Sequence, residues 1–328
     1  MRNFDRILVT GGAGFIGSHL TEALLREGCS VTILDDLSTG RWSNIQHLQS
    51  DPNLRVVIAS AAERKLVERE VAQHDAVYHL ASAVGVKLIM EQPVRTVETI
   101  FTATDVVLKA CARYRRPVVI TSTSEVYGKS TAIPFRESDD VVMGSTEKRR
   151  WAYACAKALD EFLALAHYHE TQLPAYVVRL FNTVGPRQTG QYGMVVPSFV
   201  SRALQGRPLQ VYGDGQQRRC FGSVHDVVRA LLKLPRVPQA AGCVINLGSQ
   251  EEISIRGLAE RVIARLGSTS TIETISYEEA YGPGFDDMQR RVPDITRART
   301  LLGWEPTYTL DQIIEQVAED LRAPALAP

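Results

Sequence analysis

The chain has 328 residues, of which 45% are hydrophobic, so it can bury a large core in one large or two modest domains. Its 37 basic and 37 acidic side chains cancel, and the pI is near 7.1. This balance argues against nucleic acid or an anionic membrane as the main partner, because both attract strongly basic proteins.

Five cysteines occur in the sequence, and no two of them form a CxxC pair. An odd number without that spacing argues against a disulfide framework and against a zinc site. No apolar run approaches the roughly 18 residues that are needed to cross a bilayer. We therefore predict a cytoplasmic protein without a metal site, an export signal or a membrane anchor.

Six short segments have the composition of buried strands and alternate with helical patterns, which predicts a doubly wound parallel sheet. They are residues 6–10, 31–35, 55–59, 76–81, 117–122 and 175–180. After Arg179 the sequence becomes rich in Gly and Pro, with short helices predicted around 194–205, 224–234 and 254–266. This change predicts a smaller C-terminal lobe that binds substrate.

Glycines at a spacing of three connect the first strand to the first helix, Gly11, Gly14 and Gly17. Gly11 permits a tight turn, Gly14 lets a pyrophosphate approach the helix N-terminus, and Gly17 lets the helix pack closely on the sheet. The order of strand, glycines and helix predicts a Rossmann-type α/β fold that binds a dinucleotide.

The second strand ends in Asp35, eighteen positions after Gly17, where a carboxylate binds the ribose hydroxyls of the adenosine. Asp35 and Asp36 would repel a 2′-phosphate, so we predict NAD, although Arg41 keeps NADP open. The residues predicted to bind the cofactor are Gly11, Gly14, Phe15, Ile16, Gly17, Asp35, Asp36, Leu80, Ala81, Tyr153 and Lys157.

Tyr153 and Lys157 are four positions apart in the segment YACAK and would share one face of a helix. The Lys157 ammonium would then favour the Tyr153 phenolate, which could act as a base near neutral pH. Thr123 directly follows the fifth predicted strand and adds a hydroxyl where the reacting part of the cofactor should lie. These residues together predict redox chemistry.

With these motifs the chain resembles the extended short-chain dehydrogenases/reductases that act on nucleotide sugars. The resemblance covers nearly the whole chain, through segments 179–187, 211–221 and 224–226. It implies an NAD-binding domain at 1–180, with returning segments near 220–248, and a nucleotide-sugar-binding lobe that mainly comprises 181–328. It also implies that Thr123, Tyr153 and Lys157 oxidise the sugar at C4.

Ser124-Glu125 follows Thr123 where similar 4,6-dehydratases have Asp-Glu, and the sequence here resembles that of UDP-glucuronate decarboxylases. A ketone at C4 is β to the carboxylate on C5, so carbon dioxide can leave with the ketone as electron sink. Glu125 is therefore a fourth predicted catalytic residue, with helix capping as the structural alternative. The predicted substrate-binding residues are Ser124, Arg150, Asn182, Arg219 and Arg291.

The resemblance leaves several alternatives open. The segment at 83–87 is closer to that of epimerases, which favours a 4-epimerase of UDP-glucose or UDP-glucuronate as the second hypothesis. A third hypothesis is a catalytically silent NAD-binding scaffold. The family also implies a homodimer that packs through helices near 91–114 and 153–170.

Overall fold

The computed structural model describes residues 4–82, 92–190, 194–281 and 288–323. At its centre is a sheet of seven parallel strands. The strands are β1 (Arg6–Thr10), β2 (Ser30–Asp35), β3 (Leu54–Ile58), β4 (Ala76–His79), β5 (Val118–Thr123), β6 (Ala175–Leu180) and β11 (Val244–Leu247). Their order, β11-β6-β5-β4-β1-β2-β3, reverses direction between β1 and β4 and confirms the predicted fold class.

The helices lie on both faces of this sheet and around a second, smaller group of strands. They are α1 (Phe15–Arg26), α2 (Arg64–Gln73), α3 (Pro93–Tyr114), α4 (Trp151–Thr171), α5 (Val195–Leu204), α6 (Val224–Lys233), α7 (Ile255–Leu266), α8 (Tyr277–Tyr281), α9 (Thr296–Leu302) and α10 (Leu310–Arg322).

Two apolar cores cover the two faces of the parallel sheet. Helices α1, α6 and α9 contribute buried side chains such as Leu24, Leu231 and Leu302 to one of them. Helices α2, α3 and α4 contribute to the other, for example through Val71 and Val107. Both faces are therefore buried, which explains why the strands are almost continuously apolar.

Short strands that pair over long sequence distances form the rest of the fold. Strand β7 (Thr183–Val184) pairs with β10 (Gly222–Ser223), and β8 (Leu209–Tyr212) pairs with β13 (Ile272–Ile275). Strand β9 (Arg218–Cys220) lies between β12 (Glu252–Ser254) and β14 (Arg290–Arg291). Helices α5, α7 and α10 surround a third apolar core on these strands.

Candidate active site

A cleft of about 1160 Å³ opens at the carboxyl ends of the parallel strands. Every residue that the sequence predicts for the site lines this cleft. They are Gly11, Gly14, Phe15, Ile16, Gly17, Asp35, Asp36, Leu80, Ala81, Thr123, Ser124, Glu125, Arg150, Tyr153, Lys157, Asn182, Arg219 and Arg291. Open α/β sheets bind their ligands at this edge because the strand order reverses there.

The glycine turn has the geometry that a dinucleotide requires. A Cβ on Gly17 would lie 2.0 Å from the Gly11 carbonyl oxygen, and one on Gly11, at φ +72°, would lie 2.6 Å from the Ala81 nitrogen. Gly14 is the N-cap of α1, and no side chain caps that end. The N–H groups of the first turn therefore remain available to an anion such as a pyrophosphate.

Asp35 is fixed at the end of β2 by backbone donors. Its Oδ2 accepts a hydrogen bond from the Ala13 N–H at 2.9 Å, and its Oδ1 accepts one from the Leu37 N–H at 2.8 Å. Arg41 lines the cleft but donates to the Thr189 hydroxyl at 3.1 Å. The end of β2 therefore presents a carboxylate, which suits ribose hydroxyls and would repel a 2′-phosphate.

Thr123 and Tyr153 meet at the middle of the cleft. Strand β5 ends at Thr123, whose Oγ1 accepts the Glu125 N–H at 3.2 Å and caps a 3₁₀ turn over Ser124–Tyr127. Burial raises the pKa of the Tyr153 phenol, as do the nearby carboxylates of Glu125 and Asp160, against a hydrogen bond with Thr123 that lowers it. In these surroundings the phenol is therefore protonated at neutral pH.

The Lys157 side chain differs from the sequence prediction in its partner. Its Nζ donates to the Asp160 Oδ2 at 2.9 Å, and the two side chains are only 3% and 0% exposed. We predicted that the ammonium would favour the Tyr153 phenolate, but the pKa of Tyr153 is raised. The causes of the raised pKa are burial and the nearby carboxylates of Glu125 and Asp160, and Asp160 also compensates the charge of Lys157.

Glu125 lies between two arginines. Arg150 Nη1 is 2.5 Å from its Oε2, and Arg291 Nη1 is 2.5 Å from its Oε1. Burial alone would raise the pKa of Glu125, but the two guanidinium groups outweigh burial and lower it to about 2. Glu125 is thus a carboxylate at neutral pH and is no proton donor, and the cap of its turn is Thr123.

Two of the other predicted substrate-binding residues, Arg219 and Asn182, donate hydrogen bonds to backbone carbonyls. Strands β9 and β14 place Arg219 directly beside Arg291, and Arg219 Nη1 donates to the carbonyls of Arg218 at 2.9 Å and Gln289 at 3.2 Å. Asn182 has a positive φ of 28° and donates from Nδ2 to the Cys220 carbonyl at 2.9 Å. Ser124 is buried beside Glu125, with 1% exposure.

Two acidic residues on α4 were not predicted from the sequence. Asp160 pairs with Lys157, and Glu161 accepts from Arg179 Nη2 at 2.7 Å. Arg179, which the sequence grouped with the substrate motif, is 4% exposed and packs over the Tyr127 ring at 4.7 Å. The sequence did contain a signal for these two residues, because they are adjacent carboxylates on a helix whose neighbouring positions are apolar.

The structure adds three observations on the remaining predictions. No group of three His, Cys, Asp or Glu side chains suited to a metal occurs within the described ranges. All five cysteines are free. Among the same residues, no helix combines the length and apolar character that a membrane span requires.

Known proteins match the chain over nearly its full length. The family model for GDP-mannose 4,6 dehydratase matches residues 8–317. A UDP-N-acetyl-alpha-D-glucosaminuronate decarboxylase of Bacillus cytotoxicus is 40% identical over 318 residues, which are 97% of this chain and 98% of that protein. UDP-glucuronic acid decarboxylase 1 of Xenopus tropicalis is 36% identical over 307 residues, 94% of this chain and 70% of that protein.

A solved structure with the same fold is that of UDP-glucuronic acid 4-epimerase from Bacillus cereus, in complex with UDP-glucuronic acid and NAD. Its TM-score to this chain is 0.87 at 27% sequence identity, and the match covers 97% of this chain and 99% of that one. The likeness therefore includes both the parallel sheet and the part of the fold that follows it.

Proposed function

The chain belongs to the GDP-mannose 4,6-dehydratase family of extended short-chain dehydrogenases/reductases, and on that premise we propose that it decarboxylates UDP-glucuronate through a 4-keto sugar. The product is UDP-xylose or the UDP-4-keto-pentose that precedes it. The observation that carries the proposal is the ionised Glu125 between Arg150 and Arg291, beside Thr123 and Tyr153.

NAD is the cofactor that the cleft takes. The turn at Gly11–Gly17 would hold its pyrophosphate, Asp35 its adenosine ribose, and Tyr153 and Lys157 its reacting half. When bound, NAD accepts a hydride from C4 of the sugar and can return it after carbon dioxide has left. The uncapped N-terminus of α1 and the steric exclusion of any Cβ at Gly17 support this assignment.

Tyr153 takes the proton of the 4-hydroxyl, and the Thr123 hydroxyl orients that oxygen by hydrogen bonding. Burial and the nearby carboxylates raise the pKa of the Tyr153 phenol. For the phenol to lose its proton, a nearby positive charge must therefore outweigh these effects once cofactor and substrate are bound. Lys157 is the side chain four positions along α4 that can supply this charge.

Loss of carbon dioxide breaks the C5–C6 bond of the 4-keto uronate and moves its electron pair towards the ketone oxygen. The resulting enolate then takes a proton at C5 from water in the open cleft. Arg150 and Arg291 recognise carboxylate or phosphate oxygens, and Glu125 fixes the direction of both guanidinium groups. Since the pKa of Glu125 is lowered to about 2, it orients these groups and does not provide the proton at C5.

Two other substrates or reactions have a specific observation in their favour. UDP-N-acetylglucosaminuronate is a candidate because the 40% identical Bacillus cytotoxicus relative is named for its decarboxylation. A 4-epimerase reaction is the second candidate, because the Bacillus cereus structure with a TM-score of 0.87 is an epimerase. An epimerase would keep the carboxylate and return the hydride to the other face of C4.

To test the proposal, the purified protein is incubated with NAD and either of the two UDP-uronates, each labelled with carbon-13 at C6. Products are followed by NMR and NADH by its absorbance. Labelled carbon dioxide from UDP-glucuronate supports the proposal, while its release from the N-acetylated sugar alone assigns that substrate instead. Retained label with a UDP-galacturonate signal makes the protein a 4-epimerase.

We also propose the arrangement of the molecule around this reaction. Residues 1–180, together with returning segments near 220–248, form the NAD-binding domain. The remaining residues of 181–328 mainly form the lobe that binds the nucleotide sugar. The protein is a cytoplasmic homodimer that pairs α3 and α4 of two copies. Exposed apolar side chains on these helices support the pairing: Val94, Val97 and Phe101 on α3, Leu159 and Phe162 on α4.

A further inference from the structure

A buried carboxylate stands directly behind the proposed catalytic lysine. Asp160 has no exposed surface, and its Oδ2 accepts from Lys157 Nζ at 2.9 Å within one turn of α4. Burying a carboxylate and an ammonium away from water is costly unless each compensates the other. A small apolar side chain would fill this helix position without that cost, so the charge at Asp160 calls for a functional explanation.

The groups that face the pair come from three further elements. Burial raises the pKa of Asp160, against the charge of Lys157 and a hydrogen bond with Thr104 of α3, which lower it. Glu161, the next residue of α4, raises it as well. Burial lowers the pKa of His79 on β4, and the nearby charge of Lys157 lowers it further. Glu125, from the turn after β5, raises the pKa of Tyr153.

Asp160 also acts on Tyr153, which lies two helical turns before it. Its negative charge raises the pKa of the phenol, in the same direction as burial and Glu125. Along α4, Lys157 thus comes after the tyrosine that it must help to ionise and before the aspartate that compensates its charge.

We propose that Asp160 is a positioning residue that holds Lys157 in place and sets the pH range in which Tyr153 removes the sugar proton. This inference rests on the proposed role of Tyr153 and Lys157, but not on decarboxylation. The carboxylate reduces the positive charge available to the phenol, so the oxidation step begins only at a pH above that of a site without it.

The sign of the effect follows from charge alone. Replacing Asp160 by the isosteric, neutral asparagine removes a negative charge from the Tyr153–Lys157 pair. The first proton is then lost at lower pH, whichever of the two coupled groups releases it. We expect a downward shift of about one pH unit, from a charge about 10 Å along the helix from Tyr153 at an effective dielectric constant near 20.

The test uses the full chain carrying Asp160→Asn, with Asp105→Asn as the matched control. Asp105 also accepts from a lysine on its own helix, Lys109 at 2.8 Å, but that lysine is 56% exposed and faces solvent. The first readout is the acid limb of the pH profile of kcat/KM for NADH formation. The second is the ionisation of Tyr153 in protein labelled with carbon-13 at tyrosine Cζ, with and without NAD.

A shift of both readouts to lower pH in D160N, with neither moved in D105N, supports the inference. The signal of Tyr153 is assigned by its absence in Tyr153→Phe. An activity loss that is equal at every pH, with Tyr153 ionisation unchanged, overturns it and leaves Asp160 a purely structural residue. If D160N does not melt cooperatively, Asp160→Ser, which removes the same charge, is compared with D105N by the same two readouts.

The tyrosine readout separates this inference from the proposed reaction. A protein that releases no carbon dioxide but shows the shifted Tyr153 ionisation in D160N contradicts the proposed decarboxylation and supports the role of Asp160. If the protein releases carbon dioxide but Tyr153 ionises at the same pH in D160N as in the unmodified protein, only the role of Asp160 is contradicted.

Discussion

At the scale of single residues, Glu125 is a buried carboxylate that pairs with two arginines. It is 8% exposed, and its two oxygens each face a different guanidinium group. Removing one charge of such a group leaves the others buried without compensation, which costs more than the ion pair contributes. Substituting Glu125 should therefore disturb both Arg150 and Arg291.

We expect Glu125→Gln to release carbon dioxide about a hundredfold more slowly while NADH still forms, because the arginines lose their orientation and Tyr153 remains. NADH absorbance and labelled carbon dioxide are recorded in the same sample. The control is Glu252→Gln, since Glu252 also pairs with two arginines, Arg218 and Arg290, at a more exposed position. Equal losses of both signals in the Glu125 variant would contradict the assigned role.

His79 makes stability depend on pH. It is 1% exposed and contacts the hydroxyls of Thr10 at 2.7 Å and Thr104 at 3.1 Å, and burial lowers its pKa to about 3. The folded state therefore keeps this ring neutral, whereas the unfolded chain binds a proton below about pH 6.5. The free energy of unfolding should fall as the pH falls from 6.5 towards 3.

His79→Gln should reduce this dependence by close to one proton, or about 1.4 kcal/mol per pH unit between pH 6 and 4. Urea unfolding at several pH values measures the slope, with His169→Gln at an exposed position of α4 as the control. A slope equal to that of the unmodified protein would show that other groups carry the dependence.

At the scale of elements, the contact between β1 and α1 depends on Gly17. A Cβ there would overlap the Gly11 carbonyl oxygen at 2.0 Å, so the helix would have to move away from the turn. We expect Gly17→Ala to weaken NAD binding at least tenfold and to lower the melting temperature.

Calorimetric titration with NAD and thermal melting test this expectation against Gly28→Ala. Gly28 has a φ of +84°, but a Cβ added to it would meet no atom within 4 Å, so its substitution strains the backbone without crowding any neighbour. Gly28→Ala should lower stability slightly and leave NAD affinity unchanged. Undiminished NAD affinity in the Gly17 variant would refute the assigned role of that glycine.

Elements with a local signal could be predicted from the sequence, and those that depend on distant partners could not. The strands at 6–10 and 175–180 have the predicted bounds, and the other four differ by one or two residues at one or both ends. The pairing of β9 with both β12 and β14 joins segments more than 30 residues apart, and no periodicity indicates it.

The same distinction holds within the site. Residue type and spacing placed Tyr153 and Lys157 on one helix, but the partner of Lys157 depends on burial, which the sequence does not state. Similarly, Glu125 lies on a turn, whereas its two arginine partners lie at a helix N-terminus and on strand β14. The lowered pKa of Glu125 therefore follows only from the tertiary structure. The sequence therefore predicted which residues form the site better than it predicted whether each of them is charged.

At the scale of the molecule, the exposed apolar positions predict how two copies associate. Val94, Val97 and Phe101 recur at helical spacing on α3, and Leu159 and Phe162 do so on α4, where Phe162 is 68% exposed. These two helices pack against each other, so their outer faces form one surface.

Phe162→Glu should convert the proposed homodimer to a monomer, because a buried carboxylate without a partner opposes association. Light scattering after size-exclusion chromatography measures the mass. Leu321→Glu, at a 42% exposed position of α10, is the control that should remain dimeric. A monomeric unmodified protein would contradict the homodimer directly.

Strand β11 makes completion of the parallel sheet depend on a late part of the chain. It is the seventh strand of the parallel sheet, and it pairs with β6 although it follows that strand by more than 60 residues. The glycine turn therefore belongs to the first strand connection of the chain, whereas the seven-stranded sheet is complete only when residues up to Leu247 are present.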